Sequence, residues 1–460
     1  MPPSLALFLC CLVVLFLLRL DRKEEPNISW TSWIPTLWIL IISSKSVGSW
    51  MGLEADDDGS LWDRVVLSGM IGAGLFLLAV RKFKLSDQLR ENVWLCILII
   101  YMFVSILWSD IAYIAFKRWI REFGSVIMAL VLVTEPNPRL AVQSVLRRST
   151  YILIPVSILL IKYFPQYGVG YGRWLGDLVW YGVCVSKNGL GRVCLVAIMF
   201  LAWTLIVRWW RQESPSSRFQ SPADFVVLLI ALWILKGPPG AYPATAVGAL
   251  IIGLASFLVL LLMEKWRMIL SRSVVMLVVA GIMVIGYLTP ILGGATVGSF
   301  SSVLGRNENL TGRTDLWVKL LPLYEQNSIL GYGFGSFWTP AMEEANYGVR
   351  EAHNGYLDVC LGLGLIGLAL TAMFLLSFSS RAVRSMAYDY EWSSLCLCFL
   401  LITLLHNITE SSIDSFGKQL MTILLFLSVC LPKRQKYWSG SPHRKVATMR
   451  GKRFIPPVRA

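Results

Sequence analysis

Three observations predict an all-α polytopic membrane protein. Apolar residues make up 56% of the 460-residue chain and charged residues only 15%, against about 25% charged in soluble domains. Apolar stretches near the ~20 residues needed to cross a bilayer recur along the whole length. Basic residues gather in alternate connections, as the positive-inside rule requires of a multi-span protein. A β-barrel would show short alternating segments instead.

The apolar stretches predict about 13 spans (roughly 12–14). They fall at 4–20, 32–50, 64–80, 92–108, 119–134, 150–164, 190–210, 224–240, 244–263, 273–291, 354–378, 393–408 and 416–431. With the first connection placed in the cytoplasm, the cytoplasmic segments hold Arg81-Lys82-Phe83-Lys84, Arg147-Arg148, Arg208 with Arg211, Lys265 with Arg267, and Arg381 with Arg384. The opposite segments hold Glu54-Ala55-Asp56-Asp57-Asp58 and Asp414. An external N-terminus and a cytoplasmic C-terminus follow. Leu5–Leu18 lacks preceding charge and a small-residue cleavage site, so it reads as a retained first helix.

Residues 1–431 are expected to form one transmembrane helical domain, including a long outer loop at 290–353. Residues 432–460 read as a basic, disordered cytoplasmic tail, with Pro442, Pro456 and Pro457 and no apolar period. The net charge of +14 sits in these connections and that tail, so no nucleic-acid partner is expected. The nine cysteines lie almost entirely within spans, which gives packing residues rather than a disulfide or zinc framework.

Three outer segments hold the candidate chemistry: 162–192, 290–353 and 406–418. In the second, Leu316, Leu320 and Leu323 with Trp317 and Leu321 give a short helix an apolar face. Pro322 strains or ends it. Gly331-Tyr332-Gly333-Phe334-Gly335 is a Gly/aromatic turn that either wraps a ligand or reverses the chain. Arg313 offers a planar fork suited to phosphate oxygens, or pairs with Asp315 or Glu308. His353, one of three histidines, stands at the mouth of a span. It either removes a proton from an acceptor hydroxyl or satisfies a helix start with Asn354 as the cap.

Lys187-Asn188-Gly189-Leu190-Gly191-Arg192 opens another span, where exposed N–H groups and two cations favour an anion. Snorkelling is the alternative. Arg173 is a weaker companion. Lys236 precedes Gly237-Pro238-Pro239-Gly240 at the outer end of a span, where an ammonium is costly. Glu410 either orients a cation, binds sugar hydroxyls or is a solvated acid. No Walker loop, Gly-x-Ser-x-Gly or His-Glu-x-x-His is present. No metal and no cofactor is expected, and an outer-face reaction would draw on an activated, membrane-held donor.

Gly312-Arg313-Thr314-Asp315-Leu316-Trp317, Leu330–Trp338, Ala352-His353-Asn354-Gly355-Tyr356-Leu357 and Gly364-Leu365-Ile366-Gly367 run in order. Together they resemble the O-antigen ligase and exopolysaccharide polymerase family of bacterial inner-membrane proteins. Ser186–Gly191 and Asn407–Ser411 resemble its exopolysaccharide-polymerase branch. The resemblance implies a GT-C-like helical bundle with a large periplasmic loop. It implies transfer of a glycan from undecaprenyl diphosphate to an acceptor glycan, on the periplasmic face of the inner membrane. Arg313 would bind the diphosphate, with Lys187, Arg192 and Lys236, and His353 would serve at the acceptor. Arg173, Asn188, Asn354 and Glu410 would support them.

Several members carry Ser-Arg where this chain has Leu235-Lys236, so Lys236 supplies charge without the fork geometry. Direct displacement would be metal-independent and inverting. Polymerisation of exopolysaccharide or O-antigen repeats is favoured over ligation to lipid A-core. Chain-length regulator and export proteins join membrane lipids as implied partners. A transporter or flippase of lipid-linked sugars is the alternative class, but it needs no base in an outer loop and should show paired half-repeats.

Overall fold

The computed structural model describes residues 1–53, 59–81, 83, 88, 90–172, 176–212, 220–293, 312–345 and 348–431. The tail, Arg173, Lys82, Lys84, the acidic run at 54–58 and the loop 294–311 lie outside the described residues. The described chain is mostly helical with little sheet. In order come α1 (Pro3–Glu24), α2 (Trp33–Ser43), α3 (Leu61–Val80), α4 (Val93–Val104), α5 (Ala112–Val133) and α6 (Pro138–Tyr163). A hairpin follows, β1 (Val169–Tyr171) with β2 (Leu178–Trp180). Then come α7 (Lys187–Arg211), α8 (Gln220–Lys236), α9 (Ala244–Lys265), α10 (Arg272–Ile291), α11 (Arg313–Gln326), α12 (Gly355–Ser385), α13 (Tyr390–His406) and α14 (Gln419–Val429).

Seven of these, α1, α3, α6, α7, α9, α10 and α12, are long and apolar enough to cross a membrane. Packing grades them. The middle helices α6, α7, α13 and α14 are largely buried, whereas α1 and α3 expose most of their apolar side chains. Outward-facing Leu and Phe are stable only in an apolar solvent, which fits peripheral helices facing lipid. The closest pairings are α9 on α13, α7 on α8, α10 on α12 and α1 on α6.

Four expectations change. Arg147 and Arg148 are not in a connection. Asn137 accepts from Leu140 N (3.2 Å) and Pro138 occupies the first turn, so α6 starts early and runs through both arginines. Their charge is met internally: Arg148 Nε donates to Asp21 Oδ2 at 2.6 Å, and Arg147 Nη1 stands 3.7 Å from Asp21 Oδ1. Helices α2 and α14, of 11 residues each, are shorter than the predicted spans. After α2 the backbone turns extended at Ser44, and Ser46 caps a separate short helix, Val47–Trp50. Before α14, residues 407–418 form a hydrogen-bonded loop instead of a helical turn. Pro322 does not end α11, because Leu316, Trp317, Leu320 and Tyr324 are held buried on one face. The β-hairpin was not anticipated, since three-residue strands carry too little alternation to read.

α12 carries a sharp break. Gly364 has φ +65°, and a Cβ there would come within 2.1 Å of Ile329 O. The Gly331–Gly335 turn lies across this break, with Leu365 N donating to Ser328 O (2.8 Å) and Tyr332 N to Leu361 O (2.9 Å). It is a packed turn: Phe334 and Phe337 are buried, and Phe334 N donates to Ser105 Oγ at 2.9 Å.

Candidate active site

Four sequence-distant segments converge: the start of α7, the start of α11, residues 351–358, and the loop 407–418. Each is fixed locally. Ser186 caps α7 by accepting from Gly189 N (3.1 Å), which sets Lys187 and Asn188 in its first turn. Gly312, at φ +81°, turns the chain into α11 with Arg313 as its first residue. Trp317 Nε1 donates to Ala352 O (2.8 Å), tying α11 to the strand of chain before His353. Asn354 caps α12 through Leu357 N (2.8 Å), and its Nδ2 donates to Gly286 O and Ile408 O (2.9 and 3.0 Å). Gly355 N donates to the carbonyls of Asn407 and Glu410, both at 2.9 Å. A Cβ on Gly355 would sit 2.1 Å from Asn407 Oδ1, so only glycine permits this approach.

Glu410 is the hub. It is buried, and its Oε1 accepts from Arg313 Nη2 at 2.5 Å and Asn188 Nδ2 at 2.7 Å. Its Oε2 lies 3.7 Å from His353 Nδ1, and Glu351 Oε1 lies 3.3 Å from the same nitrogen. Arg192 Nη1 donates to Ser411 O at 3.1 Å. Arg313, Asn188, Arg192, His353, Asn354 and Glu410 therefore share one cluster. Lys187 begins the same helix turn. Lys236 stands apart from this network as an exposed residue at the end of α8, and no ion pair or hydrogen bond joins it to the cluster among the described residues. Arg173 lies outside the described residues.

The electrostatics alter one expectation. Burial alone would lower the His353 pKa, but the carboxylates of Glu351 and Glu410 outweigh it and raise it to about 9. A ring expected to lose its proton near neutrality instead keeps it. For Glu410, burial would raise the pKa, but Arg313 and then His353 hold it well below the usual carboxylate range. Glu351 resists the same burial through His353 and Lys418 and falls to about 2. His353 also has φ +50°, in the left-handed region that non-glycine residues uncommonly adopt, histidine, asparagine and aspartate more often than the rest.

Sequence reasoning missed Glu351, Asp358, Ser411 and Lys418. Asp358, buried in the first turn of α12, accepts from Ala352 N (2.9 Å), Trp338 Nε1 (2.8 Å) and Ser411 Oγ. One carboxylate thus pins the His353 segment, the aromatic turn and the last loop together. Lys418 Nζ lies 2.9 Å from Asp414 and 3.6 Å from Glu351. The available signal was spacing, since Glu351 is two residues before His353 and Asp358 one helical turn after Asn354.

Glu351, His353 and Glu410 place one ligand atom each within 4.8 Å of one another, a spacing that suits a metal ion. Glu410 Oε1 is already engaged by a fixed cation, however, which competes with a metal for that carboxylate. Chemically, the cluster offers fork geometry for an anion, a helix N-terminus beside it, and a titratable ring held by two acids.

The family profile described as O-antigen ligase matches residues 225–372, the stretch that holds Arg313, His353 and Asn354. Across 347 residues the chain is 23% identical to the exopolysaccharide production protein ExoQ of Rhizobium meliloti (strain 1021), covering 73% of this chain and 75% of that protein.

Proposed function

From the premise that the chain is a member of the O-antigen ligase and exopolysaccharide polymerase family, we propose that it is a membrane glycosyltransferase joining undecaprenyl-diphosphate-linked glycan units into a polysaccharide. The observation that carries this reading is the convergence of Arg313, Asn188 and His353 on the buried carboxylate of Glu410. In this reading residues 1–431 form one bundle crossing the inner membrane about 13 times, with the cluster on the periplasmic face.

Diphosphate binding draws Arg313 partly from Glu410, with Arg192 and Lys187 alongside. Lys236 is a further cation only if the bound donor reaches the end of α8. The acceptor oxygen attacks the anomeric carbon from the face opposite the diphosphate. The new C–O bond forms, the old one breaks with its electron pair on the leaving diphosphate, and the configuration inverts. Cations fixed before the reaction meet that developing charge without a metal. His353 receives the hydroxyl proton in its neutral form, so transfer should rise with pH through about 9.

The test is reconstitution of the purified protein in liposomes with a lipid-linked oligosaccharide. Chain extension with released polyprenyl diphosphate is expected. Turnover only when lipid A-core is supplied would make the protein a ligase, the activity in the matched profile's description. Carrier translocation without a new glycosidic bond would make it a transporter.

A further inference from the structure

A cavity adjoins the cluster. Its volume is about 240 Å³, and Arg118, Arg121, Trp338, Glu343, Asp358 and Lys418 are among its walls. A water needs only about 10–15 Å³ by a comparable measure, so the space holds a group the size of a sugar ring. Its chemistry is mixed. Trp338 presents a half-buried indole, with Phe337 packed edge-on against it at 5.1 Å between ring centres. Around it stand guanidinium, ammonium and carboxylate groups of both signs. A site for a bare anion would be one-signed and would gain nothing from indole. A balanced charge set beside an aromatic face suits a ligand that is neutral, hydroxyl-rich and flat on one side.

The walls are preorganised. Trp338 Nε1 is held by Asp358 Oδ1 at 2.8 Å, while Arg118 Nη1 donates to the carbonyls of Gly335 and, at 3.4 Å, Trp338. Two side chains link the cavity to His353. Lys418 lines it and lies 3.6 Å from Glu351, which is 3.3 Å from His353 Nδ1. A ring seated here lies on the Glu351 side of His353, away from Arg313.

We propose that this cavity, walled by Trp338, Arg118 and Arg121, is the subsite that holds the terminal sugar ring of the acceptor glycan beside the Lys418–Glu351–His353 chain. The assignment of the ring to the acceptor rests on the transferase reading above. The existence of a saccharide site does not.

The experiment uses the full chain in nanodiscs. The probe is a set of fluorescently labelled short oligosaccharides from partial acid hydrolysis of the producing cell's own polysaccharide. Saturable binding is expected for the wild type. Trp338→Ala and Arg121→Ala should each weaken it about tenfold or more, as loss of charge-assisted or aromatic contacts does. Arg121 is exposed, so its variant should fold even if Trp338→Ala does not, and Trp338→Phe should keep part of the binding through the ring face. Unchanged binding in Arg121→Ala and Trp338→Phe together with Trp338→Ala would overturn the subsite. Equal displacement by inorganic pyrophosphate would make it an anion site and also overturn it. Competition by lipid-linked donor that is lost with Arg121→Ala would give the ring to the donor and overturn the acceptor assignment. If no glycosidic bond forms in liposomes while oligosaccharide still binds and Trp338→Ala releases it, the saccharide site stands and the transferase reading falls.

Discussion

Among the described residues, two of the buried charge networks are built differently. Around Asp21, the side chains of Arg147 and Arg148 are only 2% and 3% exposed. Ser144 and Ser32 complete that set, with Ser144 Oγ on Asp21 and Arg148 Nη1 on Ser32 Oγ, both at 2.8 Å. Around Glu410, the Arg313 and His353 side chains are 12% and 24% exposed, and a cavity lies beyond Glu351 and Lys418. Sealed charges lock α1 to α6. Charges that stay within reach of solvent can still exchange partners with a ligand. Burial of an ion pair alone therefore does not single out a candidate arginine; access to a ligand is the further requirement.

The strongest way to sharpen this contrast is to break the sealed network. Asp21→Ala leaves the buried Arg148 guanidinium without its carboxylate and weakens the charge balance of Arg147, and removing one partner of a buried pair costs about 3–5 kcal/mol. Membrane yield and thermal stability should fall, with transfer per folded molecule kept. A stable variant with selective loss of transfer would place Asp21 in the reaction instead. Next in size is Arg313→Lys, which keeps charge and loses the fork. Transfer should drop by about 2.7–4 kcal/mol of transition-state stabilisation, seen as slower chain extension at normal yield. Near-normal polymer yield would make Arg313 a structural partner of Glu410.

Smaller and more specific is Glu351→Gln. One carboxylate holding the ring's proton is removed, so the His353 pKa should fall from about 9 towards its ordinary value near 6.5. The rising limb of the pH–rate profile should move to lower pH. The same pairing has a stability consequence of definite sign. A raised histidine pKa stabilises the fold fully below about 6.5 and is lost as pH rises through about 9, whereas the lowered Glu351 pKa contributes above its ordinary 4.5 and is lost as pH falls towards about 2. Melting temperature against pH for wild type and Glu351→Gln checks both limbs. The smallest expected effect is that of chelation: EDTA should leave transfer unchanged. A loss restored by a divalent metal would hand Glu351, His353 and Glu410 to a metal ion.

The long helices were legible in the sequence because apolar runs of nearly 20 residues need no tertiary context to be read, whereas the ends of α2, α6 and α14 were not. Arg313, His353, Asn188, Asn354 and Glu410 were legible as residues, through spacing and motif. Their meeting point was not, since Glu410 and Arg313 are 97 positions apart. Periodicity could not assign Arg147 and Arg148 to a helix interior, because what permits them there is Asp21 on another helix. The raised pKa of His353 was not legible for the same reason: two acids supplied by the fold set it.

The left-handed backbone at His353 has a consequence for how this residue can be replaced. A conformation that an L-residue rarely adopts costs about 1–3 kcal/mol and persists only where the surroundings impose it. Here the surroundings are Ala352, fixed by Asp358 and Trp317, and Asn354, fixed as the cap of α12. Glycine meets the backbone requirement at position 353 better than histidine does, so local geometry alone would favour it over the imidazole. In laboratory selection for stability alone, position 353 should drift to glycine. Under selection for polysaccharide output, histidine should hold.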